Sequence, residues 1–474
     1  MNRLPSFSLV SALLALLLPL AAAAADAPAD TTVQRLGQVR GDTLVVDREA
    51  VIALALERNE MLAASGAMRD AAAADALGAW RGFTPQVQLG EFFMRSDDAL
   101  SSFGFKLQNR QVTMADFNPV LLNDPGETNN FITRLQLLQP IFNGGMGIYG
   151  KRAANAASRA AELGHRRAAE TVRFNAVQAY EGLALAGAYV QVMEAAVRSA
   201  EGHVHQAEMM VANEMATEAD LLQARVYLSA LKQKLIEVRN MAAVAGENIK
   251  LLTAVPTDLR LVAPTAPPDE TTADLPAGVD PAVVAVRSDL QASREQADAA
   301  GAMVGVARGA VLPRVNMSLQ KDYYSREDLF GNDASSWTLG VYATLGFGIG
   351  NVGEIRKARA QSRAASYMAD FQARQAEVEA TEAWLNAKAA QDKVIVARDA
   401  VSAAREGLCI VSNQYREGLA SMVNLLDTQA AATMAEGNLV QARHDLAVGL
   451  ANLEFAGALP AADTNANTAA PAGE

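Results

Sequence analysis

Apolar positions along the chain follow two periods, one of about 3.6 residues and one of 2, and the switches between them divide it into elements. From Asp47 to Trp80 the residues Val51, Leu54, Ala55, Met61 and Leu62 recur at helical spacing, which predicts one helix of about 33 residues. From Ile148 to Ala212 there is no proline and small or apolar residues keep the helical period. At about 1.5 Å per residue these roughly 65 residues would make a rod about 100 Å long. A returning helix follows, to about Thr253. The same plan recurs later: a helix from Pro281 to about Val311, a rod from the glycine-rich turn Gly346–Gly353 to about Tyr415, and a returning helix ending near Phe455.

Between first helix and rod, each half carries two stretches with a period of two: Gln86–Gly90 and Phe131–Gln139, then Arg314–Tyr324 and Ser336–Phe347. In the last of these Trp337, Leu339, Val341, Ala343, Leu345 and Phe347 are apolar, while Thr338, Gly340, Tyr342 and Thr344 lie between them. Val315, Met317 and Leu319 alternate likewise with Asn316, Ser318 and Gln320. Such patterning fits an ordinary sheet over a core, or strands with lipid on one side and water on the other. No other hydrophobic layer is evident for these strands to cover, which favours the second and makes Trp337, Leu339, Val341 and Leu345 the candidate lipid-facing residues. Four strands cannot close a barrel, since the smallest membrane barrels have about eight, so several chains must contribute. The polar stretch Ser96–Asn130, with Asn118-Pro119 and Asp124-Pro125-Gly126, reads as a loop of turns.

The two halves are copies. At a constant offset of 204 residues Met215, Thr217, Asp220, Leu221 and Leu222 fall on Leu419, Ser421, Asn424, Leu425 and Leu426, and Tyr180, Leu235, Arg239 and Asn248 fall on Trp384, Leu439, Arg443 and Asn452. Each copy places a sharp turn between rod and returning helix. Gly418 suits the left-handed residue that ends a helix, and Asn213 is expected to serve in the first copy. Thr217 and Ser421 are hydroxyl N-caps, with polar Asp220 and Asn424 three residues on, a variant of the capping box.

Composition narrows the function. Half the residues are hydrophobic but only 5% aromatic, which suits long, closely packed helices. A net charge of -12 argues against a nucleic-acid partner. The single cysteine, Cys409, allows neither a disulfide framework nor a thiolate metal cluster. The four histidines, His165, His203, His205 and His444, offer no zinc pair, because His203 and His205 are two apart rather than four. Gly346-Phe-Gly348-Ile-Gly350 lacks the lysine of a phosphate loop and the last glycine of a dinucleotide loop. No enzyme, cofactor or metal site is expected. Arg3, the apolar run Leu9–Leu20 and Ala21–Ala25 predict a secretory signal at 1–25, without the cysteine of lipoprotein processing, and no later run is long enough for a membrane helix. The predicted organisation is thus a signal, 1–25; a polar leader, 26–46; repeat one, 47–255; a proline-rich linker, 256–280; repeat two, 281–457; and a disordered tail, 458–474.

The duplication, Leu138-Gln139-Pro140-Ile141-Phe142-Asn143-Gly144-Gly145 after the second strand, and Tyr415-Arg-Glu-Gly418-Leu-Ala-Ser421-Met-Val-Asn424-Leu-Leu-Asp427 at the second turn together resemble the outer-membrane efflux protein (TolC) family, from about Val46 to Gly457. The resemblance implies a mainly α fold with a small β part: a homotrimer whose long helical hairpins form an α-barrel tunnel across the periplasm, while four strands per chain build a twelve-stranded barrel in the lipid of a Gram-negative outer membrane. It implies a passive conduit in a tripartite efflux or type I secretion system, docked to a periplasmic adaptor protein and an inner-membrane pump. It also implies that the hairpin tips form the pore constriction, with Asp220 and Asp427 as acidic residues facing the axis and Tyr415 as a latching aromatic. Asn424 stands where some members carry another acid, and Ala420 where some carry a latching arginine. The competing reading is a structural periplasmic coiled-coil protein that never enters a membrane.

Overall fold

The computed structural model describes residues 29–264 and 275–458, so the expected signal and almost all of the tail lie outside the described residues. Two rods dominate: α6 (Met146–Ala212) and α10 (Ile349–Arg416), each about 100 Å long at the usual helical rise. Each returns as a shorter helix, α7 (Glu218–Thr253) and α11 (Met422–Phe455), packed against its own rod. The remaining half of each rod is covered by α2 (Arg48–Arg58) with α3 (Glu60–Gly78), and by α8 (Pro281–Val284) with α9 (Ser288–Gly309). The copies interlock, because α9 of the second half packs on the rod of the first as well as on its own.

Alternating steps of four and three place small residues on the buried seams. In α10 they are Ala376, Ala380, Ala383, Ala387 and Ala390; in α6 they include Ala196, Ala200 and Ala207, with His203 in the same seam. This is the spacing of a coiled coil, and alanine there lets backbones come close.

Strands β3 (Gln86–Ser96), β4 (Thr128–Asn143), β6 (Arg314–Ser325) and β7 (Ala334–Thr344) form one antiparallel sheet in the order β3-β4-β6-β7. Pro140 sits at a register shift in β4, beyond the last pairing with β3 at Leu138, where its missing N–H is tolerated. At the turn into α6, Gly144 has φ +65°, and a Cβ on it would collide with the Gly309 carbonyl, so the paired glycines seat this turn against the end of α9.

Several expectations need correction. The single first helix is two, because Asn59 leaves the helical region (ψ 120°) and its side chain accepts from the Met61 and Leu62 amides to start α3. The polar leader is structured: α1 (Ala29–Leu36), β1 (Gly37–Arg40) and β2 (Thr43–Val46) precede α2, and β2 pairs in parallel with β5 (Arg260–Val262) from the linker. Leu36, Leu44, Val46 and Leu261 join Val51, Leu54 and Ile249 in one buried core. The 96–130 segment is no string of turns, since it holds α4 (Ala99–Gln108), a short 3-10 turn Met114–Phe117 and α5 (Pro119–Asn123). Strands β3 and β4 run longer than expected, and β7 ends at Thr344, so Leu345 lies just past it. The helix from Pro281 is also interrupted, between Val284 and Ser288.

Candidate pore constriction and membrane-facing sheet

Both hairpin turns are built alike. Glu214 and Gly418 hold positive φ, 59° and 75°, and each turn closes with the bonds of a Schellman motif: Met215 N to Met210 O at 2.8 Å, and Leu419 N to Gln414 O at 2.8 Å. The left-handed residue of the first copy is therefore Glu214, which the offset places under Gly418, and not Asn213, whose φ is -99°. Thr217 and Asp220 form a complete capping box: Thr217 Oγ1 accepts from the Asp220 amide at 3.2 Å, and Asp220 Oδ2 accepts from the Thr217 amide at 3.1 Å and hydroxyl at 2.7 Å. Ser421 makes only half of it, accepting from the Asn424 amide at 3.2 Å.

The two tips meet. Val204, Ala207 and Met210 of α6, Ala224 of α7, Tyr415 of α10, and Met422 and Leu425 of α11 form one apolar cluster. Tyr415 is 3% exposed, and its buried hydroxyl has no hydrogen-bond partner among the described residues. Burial first, and the nearby Asp220 carboxylate second, push its phenol above the usual range. Tyr415 and Asp220 are thus brought together from different hairpins. Asn424 and Asp427 sit on the exposed side of α11, as Gly418 and Ser421 do at its entrance.

A polar contact that sequence reasoning missed lies three turns up. His203 Nε2 and Ser199 Oγ of α6 both approach Gln429 Oε1 of α11, at 3.3 and 2.6 Å. His203 is buried, which lowers its pKa against the opposing pull of that contact. The signal was available: His203 occupies a seam position that alanine takes before and after it.

The sheet sorts its side chains by face. Val87, Leu137, Leu319 and Leu339 lie side by side across the four strands, followed by Leu89, Leu135, Lys321 and Trp337. On the other face Gln88, Gln136, Gln320 and Thr338 form a row, and Gly90, Arg134, Asp322 and Ser336 the next. Arg134 Nε donates to Asp322 Oδ1 at 2.9 Å, and Gln136 Nε2 to Ser318 Oγ at 3.1 Å. Lys321, the one cation in these apolar rows, turns its ammonium along the strand to Ser335 Oγ at 3.0 Å. From Val315 to Lys321, at about 3.4 Å per residue, the apolar band is roughly 20 Å tall, near the ~25 Å of outer-membrane barrels. Trp337, Leu339, Val341 and Leu345 are all more than half exposed in the single chain.

The family model for outer membrane efflux proteins matches residues 51–255 and 282–457. The chain belongs to the outer membrane efflux protein family. Among curated members it is 24% identical over 236 residues to the toluene efflux pump outer membrane protein TtgC of Pseudomonas putida and, equally, to the antibiotic efflux pump outer membrane protein ArpC of Pseudomonas putida. The match spans about half of each relative's length, 48%, and 48% of this chain. Its fold is that of solved family channels: CusC (TM-score 0.76, 20% identity, 89% of this chain and 95% of that one), Campylobacter jejuni CmeC (0.76, 18%, 90% and 91%) and OprN (0.71, 20%, 87% and 89%). Among the described residues no helix is long and apolar enough to cross a membrane.

Proposed function

We propose that this protein is the outer-membrane channel of a tripartite efflux or type I secretion system. Three copies close their sheets into one twelve-stranded barrel, and their helices continue it as a tunnel through the periplasm to an adaptor protein and an inner-membrane pump. The channel is passive, so the pump chooses the cargo; the names of the relatives point to small organic solutes and antibiotics as the first class to try.

The observation that carries this reading is the sorted sheet. Among the described residues its apolar rows are covered by no other element, and its two outer strands, β3 and β7, each lack a partner on one side. Closing three copies edge to edge supplies both partners and puts the apolar face in lipid, as backbone groups in a bilayer demand. A purely structural coiled-coil protein would account for the rods but leave that face and both edges without a role. At the tip, threefold symmetry would gather three copies each of Asp220 and Asp427, raising the local cation concentration. Membrane fractionation followed by mild-detergent extraction tests the proposal: a heat-modifiable trimer in the outer-membrane fraction is expected, and a monomer released with the soluble periplasmic proteins would overturn it.

A further inference from the structure

The 97–127 excursion between β3 and β4 folds over one face of the sheet, and that face is the polar one. At the loop end of the strands Asn130, Ile132, Asp322, Tyr324 and Ala334 are buried at 0, 5, 5, 7 and 5% exposure, and all belong to the rows that carry Gln136, Gln320 and Thr338 further down. On the apolar face at the same level Phe131, Thr133, Tyr323 and Ser335 are only half-buried and Phe93 is 55% exposed, although Ser325 at the strand end is buried. The cover is α4, which packs on β4 and reaches across the sheet to β7. Phe105 and Ser102 are buried beneath it.

The seat is specific. Asn109 Nδ2 donates to Asn130 Oδ1 at 2.9 Å, Asn130 Nδ2 to Gln108 Oε1 at 2.9 Å, and Ser102 Oγ to Ser96 O at 3.0 Å. The remainder of the excursion is tied back by Lys106, whose ammonium donates to Asp116 Oδ1 at 2.8 Å. That contact, with the amide and hydroxyl of Thr113, holds the Asp116 carboxyl at about 2, so the tie stays ionised through any ordinary external pH. A solvated surface loop would need none of these.

We propose that residues 97–127 are an outer constriction of the channel, a segment folded into the barrel lumen that sets the size of solute able to leave. The assignment rests on the barrel reading above, in which the polar face is the lumen. Three such segments, one per chain, occupy the outer mouth, and Leu100, Met114, Phe117, Val120 and Leu121, all more than half exposed in the single chain, are the apolar groups with which they meet. The route out would then pass two gates, one acidic at the helical tip and one apolar at the outer end.

Cysteine labelling from outside intact cells tests this in a Cys409→Ser background, comparing Thr338→Cys on the polar face with Leu339→Cys beside it. A small charged methanethiosulfonate should label Thr338→Cys readily, while a long polyethylene-glycol maleimide should be slower by an order of magnitude or more. Replacing residues 99–126 with a short Gly-Ser turn should abolish that size discrimination. Should the shortened chain not assemble, Phe105→Ala with Asn109→Ala, which unseats α4, should relax it instead. Equal labelling by both reagents in the unaltered loop would overturn the constriction while leaving the barrel intact. Aqueous labelling of Leu339→Cys in preference to Thr338→Cys would instead overturn the assignment of faces, and the constriction with it.

Discussion

The two hairpin turns share one backbone and differ in what they leave free. In the first, a glutamate is held in the left-handed region and the acid three residues into α7 is bound to its own N-cap. In the second, glycine takes the same φ without strain, the cap is half made, and the acid lies a turn further on, exposed. The lesson is that duplication preserved the hydrogen-bond pattern of the turn while the side chains divided the labour. Asp220 is bound to its N-cap and lies near enough to Tyr415 to act on its phenol, whereas Asp427 is exposed in the single chain.

Tyr415, which joins the two tips, should show the largest effect when changed. Tyr415→Ala removes a buried aromatic from the shared cluster and should cost about 3 to 5 kcal/mol per chain, read as a drop in melting temperature with a leakier channel in planar bilayers. Tyr415→Phe should be neutral or mildly stabilising, because the lost hydroxyl has no partner among the described residues. If both variants lost stability equally, the hydroxyl would have a hydrogen bond after all.

The two acids should then separate. Asp220→Ala breaks the capping box and should cost about 1 kcal/mol, while Asp427→Ala should stay within about 0.5 kcal/mol. Ion selectivity should rank them the other way, with Asp427→Ala losing more cation preference in bilayer recordings. The same ranking in both assays would erase the proposed division of labour.

Backbone strain offers a matched pair. Glu214→Gly should stabilise by about 1 kcal/mol and Gly418→Ala should destabilise by a similar amount, since a side chain in the left-handed region costs roughly 1 to 2 kcal/mol. Thermal melts of the two variants check the signs.

The smallest effect concerns pH. His203 is buried with its pKa below the ordinary value of 6.5, so its contribution is fully present above that pH and is lost as protonation sets in below it. Between pH 7 and pH 5 the wild type should therefore lose more stability than His203→Gln, which can keep a hydrogen bond to Gln429 without titrating. A parallel decline in both would remove His203 from the tip-to-tip contact.

What the sequence revealed divides along the same physical lines. Rods and strands were legible because each rests on a local period, and Leu339 and Thr338 fall on opposite faces as alternation requires. The small β1-β2-β5 sheet was not, since Leu44 meets Leu261 across more than two hundred residues and neither strand is long enough to show a period. Glu214 escaped notice because residue preference favours Asn for a left-handed position, whereas the repeat offset, a stronger guide, pointed to its neighbour. The excursion over the polar face was hidden for a related reason: its proline and glycine turns are real, but Phe105 and Asn109 reveal themselves only once β4 and β7 lie beneath them. At the tip, residue types indicated acids and an aromatic; which acid was already occupied depended on a hydrogen bond.

The most direct test of the channel itself is to place one arginine on each face of β7 and measure assembly into the outer membrane. Leu339→Arg should reduce the folded, heat-modifiable trimer severely, because a cation on the lipid face near the midplane costs about 2 to 4 kcal/mol in each chain, while Thr338→Arg meets water and should assemble nearly as well as the wild type. Equal assembly of the two variants, or a greater loss with Thr338→Arg, would contradict a barrel with this face in lipid.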